Sequence, residues 1–377
     1  MDQEFLPCVS TALIQKREVV DLFCYGYADK ELGIELHEEH LFRMFSSTKL
    51  VTACAMMLLH EEGLIDWEDP LEMYIPQMAH RTVLKPGAQN MEDVEPAQSS
   101  ITLRHLMTHT SGLSYGIFDP GTLMYQIYQQ ARVLHPNQDL AQMMDKLATL
   151  PLSFHPGTQW EYSVASDVLG RVVEIVSGQS FGEFLKQRIF NPLGMIDTDF
   201  WVPAEKQPRL CNLYVGVDLL DPRKPGLHHI KDKPYPGAYT QQPVWESGGG
   251  GLVSTLGDTI KLIQSLLPGG ATLLKPSSLS QMYANHLPEG MCVQFPNLPL
   301  FANKGFGLGS SVTIAQSPTE PQEAISEVGW GGLAGTIWWI NPRCGIAGIL
   351  MTQRYFGFGN PYSFVFKNHA YQALGLA

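Results

Sequence analysis

Positive charge is scarce in this chain. Its 377 residues carry 25 Lys and Arg against 37 Asp and Glu, a formal net charge of −12. Nucleic acids and anionic membranes reward clustered cations, so neither is expected as a partner. Long apolar runs are missing too. None approaches the roughly 18 residues of a membrane-crossing helix, so no span is expected. The six cysteines, Cys8, Cys24, Cys54, Cys211, Cys292 and Cys344, form no C-x-x-C pair. That scatter fits reduced thiols better than a disulfide framework or a zinc site. H-E-x-x-H, a G-x-x-x-x-G-K-[ST] phosphate loop and a strand-placed G-x-G-x-x-G are absent. No metal and no cofactor is therefore expected. The opening residues, Met1 to Phe5, have neither a basic nor an apolar segment. No signal peptide is expected there, and a cytoplasmic location is.

What the chain does have is apolar bulk, 44% of its residues, with a mean hydropathy of −0.06. Its length allows two domains, or one with an insertion. Residues 8–15 and 18–26 read as two strands joined by a tight turn at Lys16-Arg17. Residues 46–63 read as a helix: Leu50, Val51, Ala55, Met56, Leu58 and Leu59 recur at helical spacing, and Gly63 stands where a C-cap belongs. Thr102 opens a short helix that Ser111-Gly112 ends. Residues 165–177 and 179–190 read as helices, the first with Asp167 in its opening turn, where a carboxylate complements the dipole. Residues 203–245, rich in Pro, Gly and charge, read as a long loop layer. A further helix starts near Ser254, Thr255 and Asp258. Short β-rich runs follow at 306–316, 323–328, 334–340 and 345–352, and 361–374 closes as a helix. Strands at both ends with helices between predict one sheet interrupted by a helical insertion.

Four stretches carry candidate chemistry. In Phe45-Ser46-Ser47-Thr48-Lys49-Leu50, Ser46 and Lys49 stand three apart, so a helix starting at Ser46 puts both on one face. The helix N-terminus favours an oxyanion and disfavours a protonated lysine, which suits Lys49 as a base. The same residues also read as an ordinary capping cluster. Gly112-Leu113-Ser114-Tyr115-Gly116 matches the G-x-S-x-G elbow, which needs a strand before the serine and a helix after it. Here a helix precedes, so Ser114 is expected to mark a helix stop. His105 and His109, on that short helix, are expected to be structural. Tyr162, in Trp160-Glu161-Tyr162-Ser163-Val164, can enter a site from a loop or serve in packing. The glycines of Val328-Gly329-Trp330-Gly331-Gly332-Leu333 permit either a ligand's close approach or a bend at a sheet edge.

Together, FSSTKL, LRHLMTHTSGL, PGTQWEYSVASDVLGRVVE, GGGGLVSTLGD and VGWGGLAGT resemble, in order, the serine β-lactamase and penicillin-binding-protein fold group. Within it they are most similar to the class C β-lactamase-like branch and its family VIII carboxylesterases. The resemblance implies an α/β (α+β) fold of the β-lactamase/transpeptidase type. A mixed antiparallel sheet flanked by helices would come from residues 1–65 and 300–377. Residues 66–299 would form a helical, loop-rich domain, with the active site in the cleft between them. It also implies that Ser46 is acylated, that Lys49 and Tyr162 are its catalytic partners, and that the backbone N–H groups of Ser46 and Leu333 form the oxyanion hole. Trp330, Gly331, Gly332, Val164, Tyr115 and Trp160 would contact substrate. Two positions depart from the pattern. Trp330 stands where β-lactamases usually have Lys or His, and Val164 where they usually have Asn. Both replace polar recognition with apolar surface, which favours small to medium uncharged esters over β-lactams. The expected activity is a serine carboxylesterase, with acyl transfer and weak β-lactam or D-peptide hydrolysis as alternatives and a non-catalytic binding role as the remaining one. A monomer or a homodimer is expected.

Overall fold

Both ends of the chain meet in one sheet. The computed structural model describes residues 4–219, 221–271, 273–296, 301–357 and 361–376; the expected domain boundary at 299/300 lies outside them. Eight strands form the sheet: β1 (Cys8–Gln15), β2 (Glu18–Asp29), β3 (Ile34–Glu35), β4 (Lys304–Phe306), β5 (Ser311–Thr313), β6 (Val328–Gly331), β7 (Ile337–Asn341) and β8 (Ile346–Met351). Their order is β4-β5-β6-β7-β8-β1-β2-β3, and neighbours pair antiparallel. The β1–β2 turn falls at Lys16-Arg17, both at positive φ (49° and 71°). That is the primed geometry which matches the twist of paired strands.

Helix α1 (Thr48–Glu61) is buried on almost every face from Thr48 to Leu59, as a helix without a polar stripe must be. It shares a core with Cys8, Ala12 and Ile14 of β1, Val328 of β6 and Ile349 of β8 on one side, and with helix α3 (Ala165–Ser177) on the other. The opposite sheet face is covered by the last helix, α5 (Tyr362–Ala373), through Leu13, Trp339, Ile346, Ala370 and Tyr371. Helix α2 (Leu103–Met107) and helix α4 (Leu256–Leu266) begin at Thr102 and Thr255, whose side chains accept from the third backbone N–H onward.

Four local expectations are corrected. The helix expected from Ser46 begins instead with a 3₁₀ turn, Phe45–Ser47, and turns α-helical at Thr48. The run 323–328 opens in a 3₁₀ turn, Gln322–Ala324, and becomes strand only at Val328, the first residue of β6. The helix expected over 179–190 is α-helical only over Phe181–Leu185 and continues as a π-helical turn, Lys186–Phe190. The loop layer at 203–245 contains a small ladder, Tyr214–Gly216 against Leu227–His229. All six cysteines are unpaired. Among the described residues no helix is long and apolar enough to cross a membrane.

Candidate active site

The 3₁₀ turn at Phe45–Ser47 separates the two serines. Ser47 is 5% exposed, and its hydroxyl donates to the Thr336 carbonyl at 3.0 Å. Ser46, half-buried, lines a cavity of about 420 Å³. The turn is fixed from both sides. Gly332 lies so close to it that a Cβ there would meet the Met44 carbonyl at 2.2 Å. Phe45 sits at φ 45°, a strained conformation for a bulky side chain. The rings of Tyr239 (5.8 Å) and Tyr355 (6.0 Å), both edge-on, hold it there. The glycine-rich stretch at 328–335 therefore serves two ends: Gly332 admits the protein's own backbone, while Gly329 and Gly331 line the cavity.

Lys49 is 2% exposed and extends from the first turn of α1. Its Nζ donates to the Gly249 carbonyl at 2.7 Å, Ser46 Oγ at 3.4 Å and Tyr115 Oη at 3.4 Å. Nζ also lies 4.6 Å from the centre of the Tyr162 ring, over its face. Two phenols thus flank Lys49 in different ways. Tyr115 presents its oxygen. Tyr162 presents its face, and its oxygen accepts from Trp330 Nε1 at 3.2 Å.

Around Tyr162 the cavity wall is aromatic. Trp330 (5.2 Å), Phe295 (5.5 Å) and Phe118 (5.6 Å) pack against its ring, and all three line the cavity. Trp160 stands behind this wall, 7% exposed, and Val164 is fully buried in the core; neither lines the cavity. The apolar wall expected from Val164 is supplied by Phe118, Phe295 and Phe301, which the sequence reading does not single out. Phe118 is the one with a signal, standing three residues beyond Tyr115. Leu333 lines the cavity beside Ser46.

Asp167 belongs to this region too. It is fully buried, and its Oδ1 accepts from Ser247 Oγ at 2.6 Å. A Cβ at Gly249 would lie 2.6 Å from Asp167 Oδ2 and 3.0 Å from the Tyr115 hydroxyl. Only glycine fits between them, and its carbonyl is the one that holds Lys49. Burial raises the Asp167 carboxyl, an effect that Ser247 and the charge of Lys49 oppose. Burial also lifts the Tyr115 phenol well above its ordinary range, with Tyr162 and Asp167 adding to it. His109, 2% exposed, packs 5.0 Å from the Tyr162 ring and bonds Ser163 Oγ at 3.0 Å. Burial, then the charge of Lys49, holds it well below the usual histidine range, so it stays neutral. His105 completes the cap of α2 with Thr102.

Ser114 lies elsewhere. It is 1% exposed, and its backbone donates to Tyr128 Oη and accepts from Val164. Gly112 of the same motif has φ 82°, and a Cβ there would meet the Phe154 carbonyl at 2.3 Å. The G-x-S-x-G stretch is a helix stop, as its context predicts.

Residues 1–363 match the family model described as Beta-lactamase. A lovastatin esterase of Penicillium rubens is 32% identical over 321 residues, covering 81% of this chain and 78% of its own. Esterase EstB of Burkholderia gladioli is 28% identical over 364 residues, covering 92% and 86%. Among solved structures, EstCE1, described as a hydrolase with promiscuous acyltransferase activity, matches with a TM-score of 0.83 at 24% identity, covering 98% of this chain and 95% of its own. That last likeness is one of fold. A family match over nearly the whole length, on the fold just described, means that the chain belongs to the beta-lactamase family, on a branch shared with esterases.

Proposed function

We propose that the protein is a carboxylesterase that acts on uncharged esters through an acyl-enzyme on Ser46. One observation carries the reading: Ser46 opens into the cavity with Lys49 Nζ 3.4 Å from its Oγ, while Ser47 and Ser114 are committed to the fold. Lys49 takes the Ser46 proton as Oγ bonds to the ester carbonyl carbon. The backbone N–H groups of Ser46 and Leu333 receive the oxyanion. The bond to the alcohol oxygen then breaks, and Tyr162 passes the proton from Lys49 to that oxygen. Water, deprotonated by the same pair, releases the acid and restores Ser46. Tyr115 and Gly249 hold Lys49 in place throughout.

The wall nearest Ser46 favours an ester over a β-lactam. Trp330 occupies the position of a carboxylate-binding cation, and its N–H is engaged by Tyr162. The test compares p-nitrophenyl butyrate with a chromogenic cephalosporin. We expect kcat/KM for the ester to be higher by roughly 10²-fold, the scale at which a site lacking a substrate's polar partner discriminates. Equal turnover would favour a β-lactamase. Acyl transfer uses the same intermediate, and the promiscuous acyltransferase activity of EstCE1 supports it as a second activity; an added alcohol acceptor would then divert product from acid to new ester.

A further inference from the structure

The cavity that begins at Ser46 does not end at the aromatic wall. It continues along β6 to Lys304, Glu320, Glu327 and Lys367. Strand geometry explains the passage. Side chains alternate across a strand, so Glu327, Gly329 and Gly331 share one face while Val328 and Trp330 share the other. The two glycines leave a trench floor without side chains. Ile337, Leu350 and Phe364 stand along it. At the far end, Lys304 Nζ donates to Thr313 Oγ1 at 2.7 Å and Glu320 Oε1 at 2.8 Å. Lys367 Nζ donates to the same Glu320 oxygen at 3.1 Å and to Glu327. Glu327 also accepts from Tyr371 Oη at 2.8 Å. An ammonium has three N–H donors. Among the described residues each lysine spends two, so each retains one. The charges within the cluster balance, and Ser317 adds a hydroxyl to the same end.

We propose that this trench binds the acyl arm of the substrate, and that the arm is a long apolar chain ending in an uncharged oxygen acceptor. The inference rests on the esterase reading. The alcohol oxygen must face the proton donors, Lys49 and Tyr162, on the helical side, so the acyl arm is the one left to follow β6. From Gly331 to Glu327 is four residues, about 13 Å at ~3.3 Å per residue. An extended chain advances about 1.2 Å per bond, so about ten bonds span it. A terminal hydroxyl or carbonyl takes up the spare lysine donors. A bare methyl end leaves them unpaired, and a carboxylate would face Glu320 and Glu327.

The test uses p-nitrophenyl decanoate and its ω-hydroxydecanoate counterpart. Wild type should prefer the hydroxylated ester by roughly tenfold in kcat/KM, the size of one net hydrogen bond to a charged donor. Lys304→Met, which removes one of the two spare lysine donors, should lower the ratio severalfold. Ser317→Ala, which leaves the ion cluster intact, should lower it partly, and keeps the test valid if the lysine variant misfolds. Calorimetry on Ser46→Ala should show the same preference for free ω-hydroxydecanoic acid over decanoic acid. A wild-type ratio of one, or a ratio unchanged in both variants, overturns the trench assignment even if butyrate is hydrolysed through Ser46. Conversely, if neither ester is turned over yet the hydroxylated acid binds more tightly, the trench stands and the esterase reading falls.

Discussion

Lys49 Nζ lies within bonding distance of Gly249, Ser46 and Tyr115, which divides labour between the two phenols beside it. Tyr162 lines the cavity and can reach a leaving group; Tyr115, which is not among the lining residues, accepts from the lysine instead. Tyr162→Phe should therefore lower kcat on p-nitrophenyl butyrate by roughly 10²–10⁴-fold, the usual worth of a general acid. Tyr115→Phe should cost about tenfold, with KM little changed. Equal losses would merge the two roles. A second residue-scale prediction concerns Glu161, next to Tyr162. Burial lifts its carboxyl to about 7, against an ordinary value near ~4.3. Between these values the folded chain keeps a proton that the unfolded chain has lost, so stability falls as pH rises through that window. In urea unfolding, the advantage of Glu161→Gln over wild type should grow from about pH 4 to about pH 7 and stay constant above that. An advantage that does not change with pH would contradict it. At this scale Ser46 and Lys49 were legible because their spacing puts both on one face and the companion stretches, in family order, single them out from a capping cluster. Asp167 was not, since an acidic residue in a helix's first turn reads as a dipole partner. Only the packing of Gly249 against it brings it to the site.

Element α1 was legible as a helix, because its apolar residues recur at helical spacing. Its 3₁₀ start was not. That turn follows from a contact between residues almost three hundred positions apart, where Gly332 meets the Met44 carbonyl. Gly332→Ala should therefore do two things at once. Overpacking against backbone should cost about 1–3 kcal/mol of stability, and the displaced turn should lower kcat on any ester. Thermal melting and butyrate turnover check the two effects. A variant that melts like wild type and keeps full activity would mean that Gly332 does not shape the turn.

At the scale of the whole molecule, the sheet depends on the last helix returning to it. Lys367 of α5 bonds Glu320 and Glu327, and Tyr371 bonds Glu327 again. Lys367→Met would leave buried carboxylates short of a cation, at a cost of about 3–5 kcal/mol, read as a lower denaturant midpoint. A cost below about 1 kcal/mol would mean that the pair is solvated like a surface bridge. The two-ended sheet was legible from strands at both termini and from five stretches in family order. The cavity was not, because its walls come from separate places. Phe118, Phe295 and Phe301 lie in irregular segments with no periodicity to single them out, and the trench depends on which face of β6 its glycines occupy.

The identity of the acylated residue is the central claim. Wild type, Ser46→Ala and Ser114→Ala should each be treated with a fluorophosphonate probe, mapped by peptide mass spectrometry, and assayed on p-nitrophenyl butyrate. One adduct is predicted, on the peptide containing Ser46, in wild type and Ser114→Ala. Hydrolysis should be near wild type in Ser114→Ala and lost in Ser46→Ala. An adduct on any other serine, or full hydrolysis by Ser46→Ala, would contradict the assignment.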